Sequence, residues 1–411
     1  MSNLNRGEHQ QYREQLFRTV LGVATLTMLG LSWPLWIGSG GTFPRVPFVP
    51  GLPEPLWIRA FVFINLVGSI LAGMLRKELL FIGLPALAYL IAGDQHRFQP
   101  WVYQYALMAL ALASLPPSKA LQLCRVLIIA LYVHSGLSKL DVTFPGEVGA
   151  AFLIQLTAPL GIDPMSWPGP LRTAAALAMP LAELLVGIGL SFRGSRPFAL
   201  MGAVTMHGFL ITILGPWGLD HSTIVVVWNM SLIVELLILF TRTGVEQPVA
   251  LIEKTPKRVK AVSVVFAMAI TLPLLERWGG WDTWPSFALY ASHAERVYVF
   301  LHRDYENKYL DDVIGYLRPP NPGDSWRRLD LTSWSRAERG TPPYPQARAA
   351  VGVAESLALG DGRNGLVRVV VWSRAARFSG RRVRREAIGY EAIRRLADNF
   401  TINAHPAEQR H

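Results

Sequence analysis

The stretch QLCRVLIIALYVHSGLSKL, residues 122–140, decides what kind of protein this is. It is almost wholly apolar, and a helix needs roughly 20 such residues to cross a hydrocarbon core. Near its end stands Lys139, followed by Leu140 and Asp141. An ammonium at the edge of hydrocarbon is costly, so it needs a partner, a route to water or a task. On a 3.6-residue wheel Arg125, Tyr132, Ser135 and Lys139 fall on one stripe, and His134 lies on a neighbouring face one turn from Ser138. A polar stripe on a spanning helix faces protein or water and seldom lipid. Lys139 then either snorkels, with its stem in lipid and its ammonium among headgroups, or lines a cavity. Tyr132 and Ser135 on the same stripe favour the cavity.

The sequence on either side repeats the pattern. The chain has 411 residues, 51% of them hydrophobic and only 17% charged. Apolar runs of helical length fall at about 17–38, 57–75, 78–93, 99–116, 122–140, 171–192, 197–215, 222–241 and 260–276. The third carries Pro85 and the fifth Arg125. The expected fold is an all-α polytopic membrane bundle of about nine helices over residues 17–277. A polar segment, 1–16, precedes it, and a small α+β extramembrane domain, 278–411, follows. The first apolar run is too long for a signal-peptide core and is expected to be retained.

Basic residues set the orientation. Arg6, Arg13 and Arg18 precede the first run, and Arg76 and Lys77 lie between the second and third. Lys119 and Arg125 open the fifth, Arg193 and Arg196 close the sixth, and Lys254, Lys257, Arg258 and Lys260 precede the ninth. With nine crossings all of these share one side, and the other side has only Arg45, Arg59, Arg97 and Arg172. The N-terminus is thus expected in the cytoplasm and the C-terminal domain outside the cell (inner) membrane; an even count would invert the domain. The net charge of +11 has no nucleic-acid motif beside it, so a solvated or lipid-facing basic surface is the expectation. A single cysteine, Cys124, excludes an internal disulfide and a CxxC redox pair.

Residues 39–56, rich in Gly and Pro, read as an ordered external loop. Within 141–170 the apolar piece 150–160 is too short to span. Trp33, Trp36, Trp57, Trp101, Trp167 and Trp217 fall near helix ends, as an interfacial aromatic belt does. Beyond Trp278, the alternation of Val297, Val299 and Leu301 with Tyr298 and Phe300 predicts a strand, and 366–372 a second. Residues 347–359 and 384–396 have helical spacing.

Other spans supply polar partners. Glu183 lies in the sixth, His207 in the seventh, Asn229 and Glu235 in the eighth. Buried acids and a lysine in low dielectric must pair or neutralise, so a Lys139–Glu183 pair and a catalytic Lys139 are both open. Interhelical hydrogen bonding is the expected duty of His207 and Asn229. Asp94 and His96, in a turn after the third span, are placed to pair with Lys139 or Arg97 or simply to cap a loop. Metal-ligand spacing, a Walker loop, a nucleophile elbow and a dinucleotide fingerprint are all absent from the sequence.

The string Gln122, Leu131, Tyr132, Ser135, Gly136, Lys139, Leu140, Asp141, followed by Gly146 and Gly149, resembles the membrane domain of vitamin K-dependent γ-carboxylase and its bacterial relatives, the horizontally transferred transmembrane-domain (HTTM) family. The resemblance implies that Lys139 is a base acting on a lipophilic quinol, the one cofactor it suggests. It also implies a functional histidine near 94–105, where Trp101 stands and His96 is out of register. Residues 180–187, PLAELLVG, also look like DoxX-type small membrane proteins.

Two functions follow as expectations. The first is a non-catalytic membrane protein that binds membrane lipid, a quinone or another lipophilic small molecule in a polar intramembrane pocket, with the outer domain recruiting a protein partner. The second is a carboxylase- or epoxidase-like enzyme with Lys139 as base and Tyr132 and His134 beside it. A transporter fits less well, since inverted repeats and paired broken helices are not seen.

Overall fold

The computed structural model describes residues 3–38, 42–241, 256–305, 310–360 and 365–407. Through Thr271 the chain is helical: α1 Asn3–Leu31, α2 Trp33–Ile37, α3 Leu56–Leu75, α4 Leu80–Gly93, α5 Pro100–Ser114, α6 Pro117–Ser138, α7 Val148–Thr157, α8 Gly169–Ser191, α9 Arg196–Leu214, α10 Thr223–Phe240 and α11 Lys257–Thr271. Among the described residues six helical stretches are long and apolar enough to cross a membrane: Leu56–Leu75, Pro117–Ser138, Gly169–Ser191, Arg196–Leu214, Thr223–Phe240 and Lys257–Trp278. That is the pattern of a multi-pass membrane protein. The other three runs expected to span also form helices. α1 begins in polar sequence, whereas α4 and α5 have only 14 and 15 residues. The 150–160 piece is the short apolar helix Val148–Leu160.

The chain divides into two compact units. The first comprises Met1–Met28, Asn65–Pro85 and Pro100–Ser292. In it α6 packs on α8, α8 on α9, α9 on α10 and α5 on α6. One end of this unit is tied by cations to the last carbonyls of helices, which have no partner within their own helix. Arg13 donates to Ile238 O at 2.6 Å and Leu239 O at 2.7 Å, and Arg125 to the same Leu239 O at 2.6 Å. Arg18 reaches Met74 O and Leu75 O, Lys77 reaches Leu115 O, and Arg258 reaches Ala113 O. Arg13, Arg18, Lys77, Arg125 and Arg258, five of the basic residues that the sequence groups on one side, therefore neutralise the negative ends of α3, α5 and α10.

The second unit comprises Leu29–Ile64, Ala86–Gln99 and His293–His411. Its last segment holds β1 Arg296–His302, α12 Leu310–Val313, β2 Trp326–Leu329, α13 Leu331–Arg339, α14 Ala347–Gly360, β3 Val367–Trp372, β4 Arg384–Ile388 and α15 Tyr390–Asp398. The sheet is antiparallel in the order β2-β1-β3-β4, with Val299 opposite Val369 and Leu301 opposite Val367. These four side chains enter a core with Trp334, Val353, Leu357 and Ile393, which Phe43 and Val46 complete.

Three expectations need correction. Residues 384–396 are not one helix: Arg384–Ile388 is an edge strand and the helix starts at Tyr390 after a turn at Gly389. The helical spacing there belongs to Tyr390, Ile393 and Ala397 alone, whereas Arg384–Ile388 buries only Ala387. Second, Trp36 and Trp101 are buried, at 0% and 4% exposure, so they fill protein interior rather than an interfacial belt; Trp33, Trp57 and Trp217 are exposed. Third, of the duties open to Asp94 and His96 the structure shows the loop cap, Asp94 accepting from His96 N at 3.2 Å ahead of the turn Gln95–Arg97, whereas in the second unit neither residue engages Lys139 or, as a direct pair, Arg97. Asp94 accepts from Arg339 at 3.2 Å, and His96 Nδ1 accepts from Tyr344 N at 2.9 Å. Their partners lie some 245 residues downstream, a distance that turn chemistry cannot anticipate.

Candidate functional site

The site is in the first unit and starts with a close helix approach. A Cβ on Gly136 of α6 would lie 2.9 Å from both Leu184 N and Pro180 O of α8. One on Gly187 would lie 3.0 Å from Tyr132 Cβ. Two glycines thus let α6 and α8 meet backbone to backbone, as small residues do in membrane bundles. That approach sets Lys139 opposite Glu183.

Lys139 Nζ lies 2.7 Å from Glu183 Oε2, 2.6 Å from Ser135 Oγ and 3.0 Å from Ser135 O. An ammonium has three hydrogens and no lone pair, so every donor of Lys139 is engaged. The pair is buried, with side chains 7% and 14% exposed. Asp141 fixes the chain just beyond, accepting from Thr143 N and Phe144 N and pairing with Arg277 at 3.3 Å. The Lys-Leu-Asp sequence therefore combines a buried cation with the cap of the following turn.

A second polar chain crosses three helices. Tyr132 Oη is 2.6 Å from His207 Nε2, and His207 Nδ1 is 2.7 Å from Asn229 Oδ1. Asn229 Nδ2 donates to Val225 O at 2.7 Å, which fixes the orientation of the amide. Its carbonyl then faces Nδ1, so Nδ1 carries the proton, Nε2 is bare and Tyr132 donates to it. The oxygen of Tyr132 retains its lone pairs.

Both arrays line one cavity of about 480 Å³, walled otherwise by apolar side chains such as Leu131, Phe152, Met206 and Leu232. A volume in this range suits a small-molecule ligand. Phe198, Met201 and Phe209 of α9 also line it and are more than half exposed, so the cavity opens along the outer face of that helix. Trp228 borders the cavity and donates to Gln104 Oε1 at 2.8 Å. Gln104 in turn donates to Glu235 at 2.7 Å, and Ser231 donates to the other Glu235 oxygen at 2.7 Å. This buried network around Glu235 was legible only as a polar residue within a span, and Gln104 only as a member of the polar run 94–105, with nothing to join the two.

Of the residues singled out from sequence, Tyr132, Lys139, Glu183, His207 and Asn229 share the cavity. His134 does not line it and faces α11, with Nε2 2.8 Å from Ile270 O. Asp94 and His96 form part of the second unit. Burial there drives the His96 imidazole down to about 4, helped by the charges of Arg339 and Arg97 against that of Asp94. Burial works against ionised Asp94, yet the Arg339 guanidinium beside it holds its carboxyl below the ordinary range. Among the described residues there is no group of three or more His, Cys, Asp or Glu placed to hold a metal ion. The chain matches no family model, no curated protein and no solved structure.

Proposed function

We propose that this chain is a multi-pass membrane protein that takes a lipophilic small molecule from the bilayer and holds it by a head group that donates hydrogen bonds. The observation carrying this reading is how the donors are spent around the cavity. Lys139 gives all three hydrogens to Ser135 and Glu183, and Tyr132 gives its own to His207. What remains is chiefly acceptors, Glu183 Oε1, without a partner among the described residues, and the lone pairs of Tyr132, beside a single donor, the hydroxyl of Ser135, whose oxygen takes a hydrogen from Lys139. In an apolar wall such acceptors select a hydroxyl or similar donor, because a carbonyl would leave them unmatched. The mouth along α9 fits entry from lipid.

A base acting on a quinol needs a free amine, and Lys139 is an ion-paired ammonium, so the binding reading is better supported than the enzyme. Kinship with the γ-carboxylase-like and DoxX-like groups is part of this proposal and rests on residues 122–149 and 180–187. So are nine crossings, a cytoplasmic N-terminus, an outer C-terminal domain and residence in the cell (inner) membrane. Two observations support the count. Residues 86–99 and 293–411 belong to one compact unit, which favours an even number of crossings between them, as when α5 joins α6, α8, α9, α10 and α11. By the same parity α4 returns what α3 carries across.

The test uses the full chain in membranes and two photoreactive probes, a long-chain alcohol and the matching methyl ketone. The alcohol should label residues of α6 and α9 saturably, and more strongly than the ketone. Met201→Trp, which plugs the mouth without touching a polar group, should abolish that labelling. Equal labelling by both probes overturns the head-group assignment, and labelling unchanged by Met201→Trp overturns the cavity.

A further inference from the structure

The second unit carries an excess of buried positive charge that the cavity does not use. Glu54, immediately before α3, has a side chain only 4% exposed and is shared by three guanidiniums. Arg97 Nη1 bonds Oε1, Arg45 Nη1 bonds Oε2, and Arg59 Nη1 lies 3.9 Å from Oε2. Arg97 also donates to Leu35 O and Leu90 O, and Arg59 to Gly38 O. The carboxylate lies against the end of α4, where a Cβ on Gly93 would come within 2.5 Å of it.

Other acids nearby are engaged. Asp94 pairs with Arg339 at 3.2 Å. Glu338 accepts from Thr42, Phe43 N and Trp334 Nε1. Three cations therefore share one carboxylate in direct contact, with Asp94 acting on them only at longer range, and the Nε of Arg59 is buried with no hydrogen-bond partner. Uncompensated charge out of water is strongly unfavourable, so this arrangement calls for an anion. The side chains of Arg59 and Arg97 are 7% and 1% exposed, but that of Arg45 is 32% exposed and opens the cluster to the outside.

Position indicates the source. Arg59 stands in the first turn of Leu56–Leu75, a helix long and apolar enough to span, and Arg97, joined to it through Glu54, lies between α4 and α5; the end of a span is where headgroups begin. Trp57, in the same turn as Arg59, and Trp33, at the start of α2, are 71% and 55% exposed, as interfacial anchors are. The planar guanidinium fork matches phosphate oxygens two at a time.

We infer that the Arg45–Arg59–Arg97 cluster is a binding site for a phosphate-bearing anion, supplied by an anionic phospholipid headgroup or by free phosphate. It is independent of the cavity and of whatever the cavity holds.

The experiment follows the unfolding midpoint of the full chain in neutral detergent with phosphatidylglycerol, phosphatidylcholine or inorganic phosphate added. Phosphatidylglycerol should raise the midpoint and phosphatidylcholine should not. Arg45→Ala should weaken the phosphatidylglycerol response about fivefold, the effect of one interfacial cation, with little change in the lipid-free midpoint. Glu54→Gln, which leaves the cations without their carboxylate, should strengthen the response; if that variant does not fold, Arg45→Ala decides. An equal rise with inorganic phosphate, lost in Arg45→Ala, keeps the site and makes the free ion its occupant. Equal shifts by both lipids, or a response untouched by Arg45→Ala, overturn it.

Discussion

Lys139 and Glu183 form a buried ion pair across α6 and α8, Nζ to Oε2 at 2.7 Å. Removing one partner strands the other charge, which costs about 3–5 kcal/mol, whereas replacing both by apolar residues is often nearly neutral. Lys139→Met and Glu183→Leu should each destabilise by that order, and the double variant should recover most of the loss. Denaturant unfolding of the four proteins checks the cycle; additive single losses would mean the two side chains do not interact.

The tautomer of His207 is fixed from both sides, by Asn229 at Nδ1 and Tyr132 at Nε2. Nitrogen chemical shifts of labelled His207 should report a protonated Nδ1 and a bare Nε2. Tyr132→Phe should cost about 1 kcal/mol, one net hydrogen bond, and leave Nδ1 protonated. Asn229→Leu should release the tautomer preference.

At Gly136 the neighbouring helix backbone leaves no room for a methyl group. Gly136→Ala should force α6 and α8 apart, at a cost of about 1–3 kcal/mol as for other overpacked sites. The same variant should reduce the coupling measured between Lys139 and Glu183. Coupling of parental size would separate the close approach from the ion pair.

His96 gives a pH prediction. Its imidazole titrates near 4 when folded, below the ordinary value of 6.5. Between those values the unfolded chain binds more protons, so stability is complete above about 6.5 and declines as pH falls towards 4. The full shift is worth on the order of 3 kcal/mol. Asp94, held low by Arg339, extends the loss to still lower pH. His96→Asn keeps an acceptor for Tyr344 N and should flatten acid unfolding between pH 6.5 and 4; an unchanged profile would assign the slope to other groups.

Topology is testable with two exposed positions. In a Cys124→Ala background, an impermeant maleimide should label Ser379→Cys on intact cells and Gln11→Cys only after permeabilisation. Labelling of both on intact cells would mean an even number of crossings.

Much of the first unit was legible because bilayer chemistry leaves its mark along one segment at a time. The stripe of Tyr132, Ser135 and Lys139 needs only the helical period, and Glu183 was the obvious acid to meet the ammonium. What escaped was pairing over distance. Gln104 meeting Glu235, or three arginines converging on Glu54, depends on which helix ends become neighbours, and no local pattern encodes that. The strand at Arg384–Ile388 was missed for another reason. As an edge strand it buries a single residue, so the alternation that marks β1 and β3 is missing there.

The second unit is assembled from three stretches of chain, and the earliest of them emerges from the ribosome well over half the length of the protein before the last. Until residues 293–411 have been synthesised, Asp94 has no Arg339, His96 has no Tyr344, and Phe43 and Val46 have no core to enter. A nascent chain halted after α11 would leave these groups without their partners, so the second unit can close only once the C-terminal segment has been made.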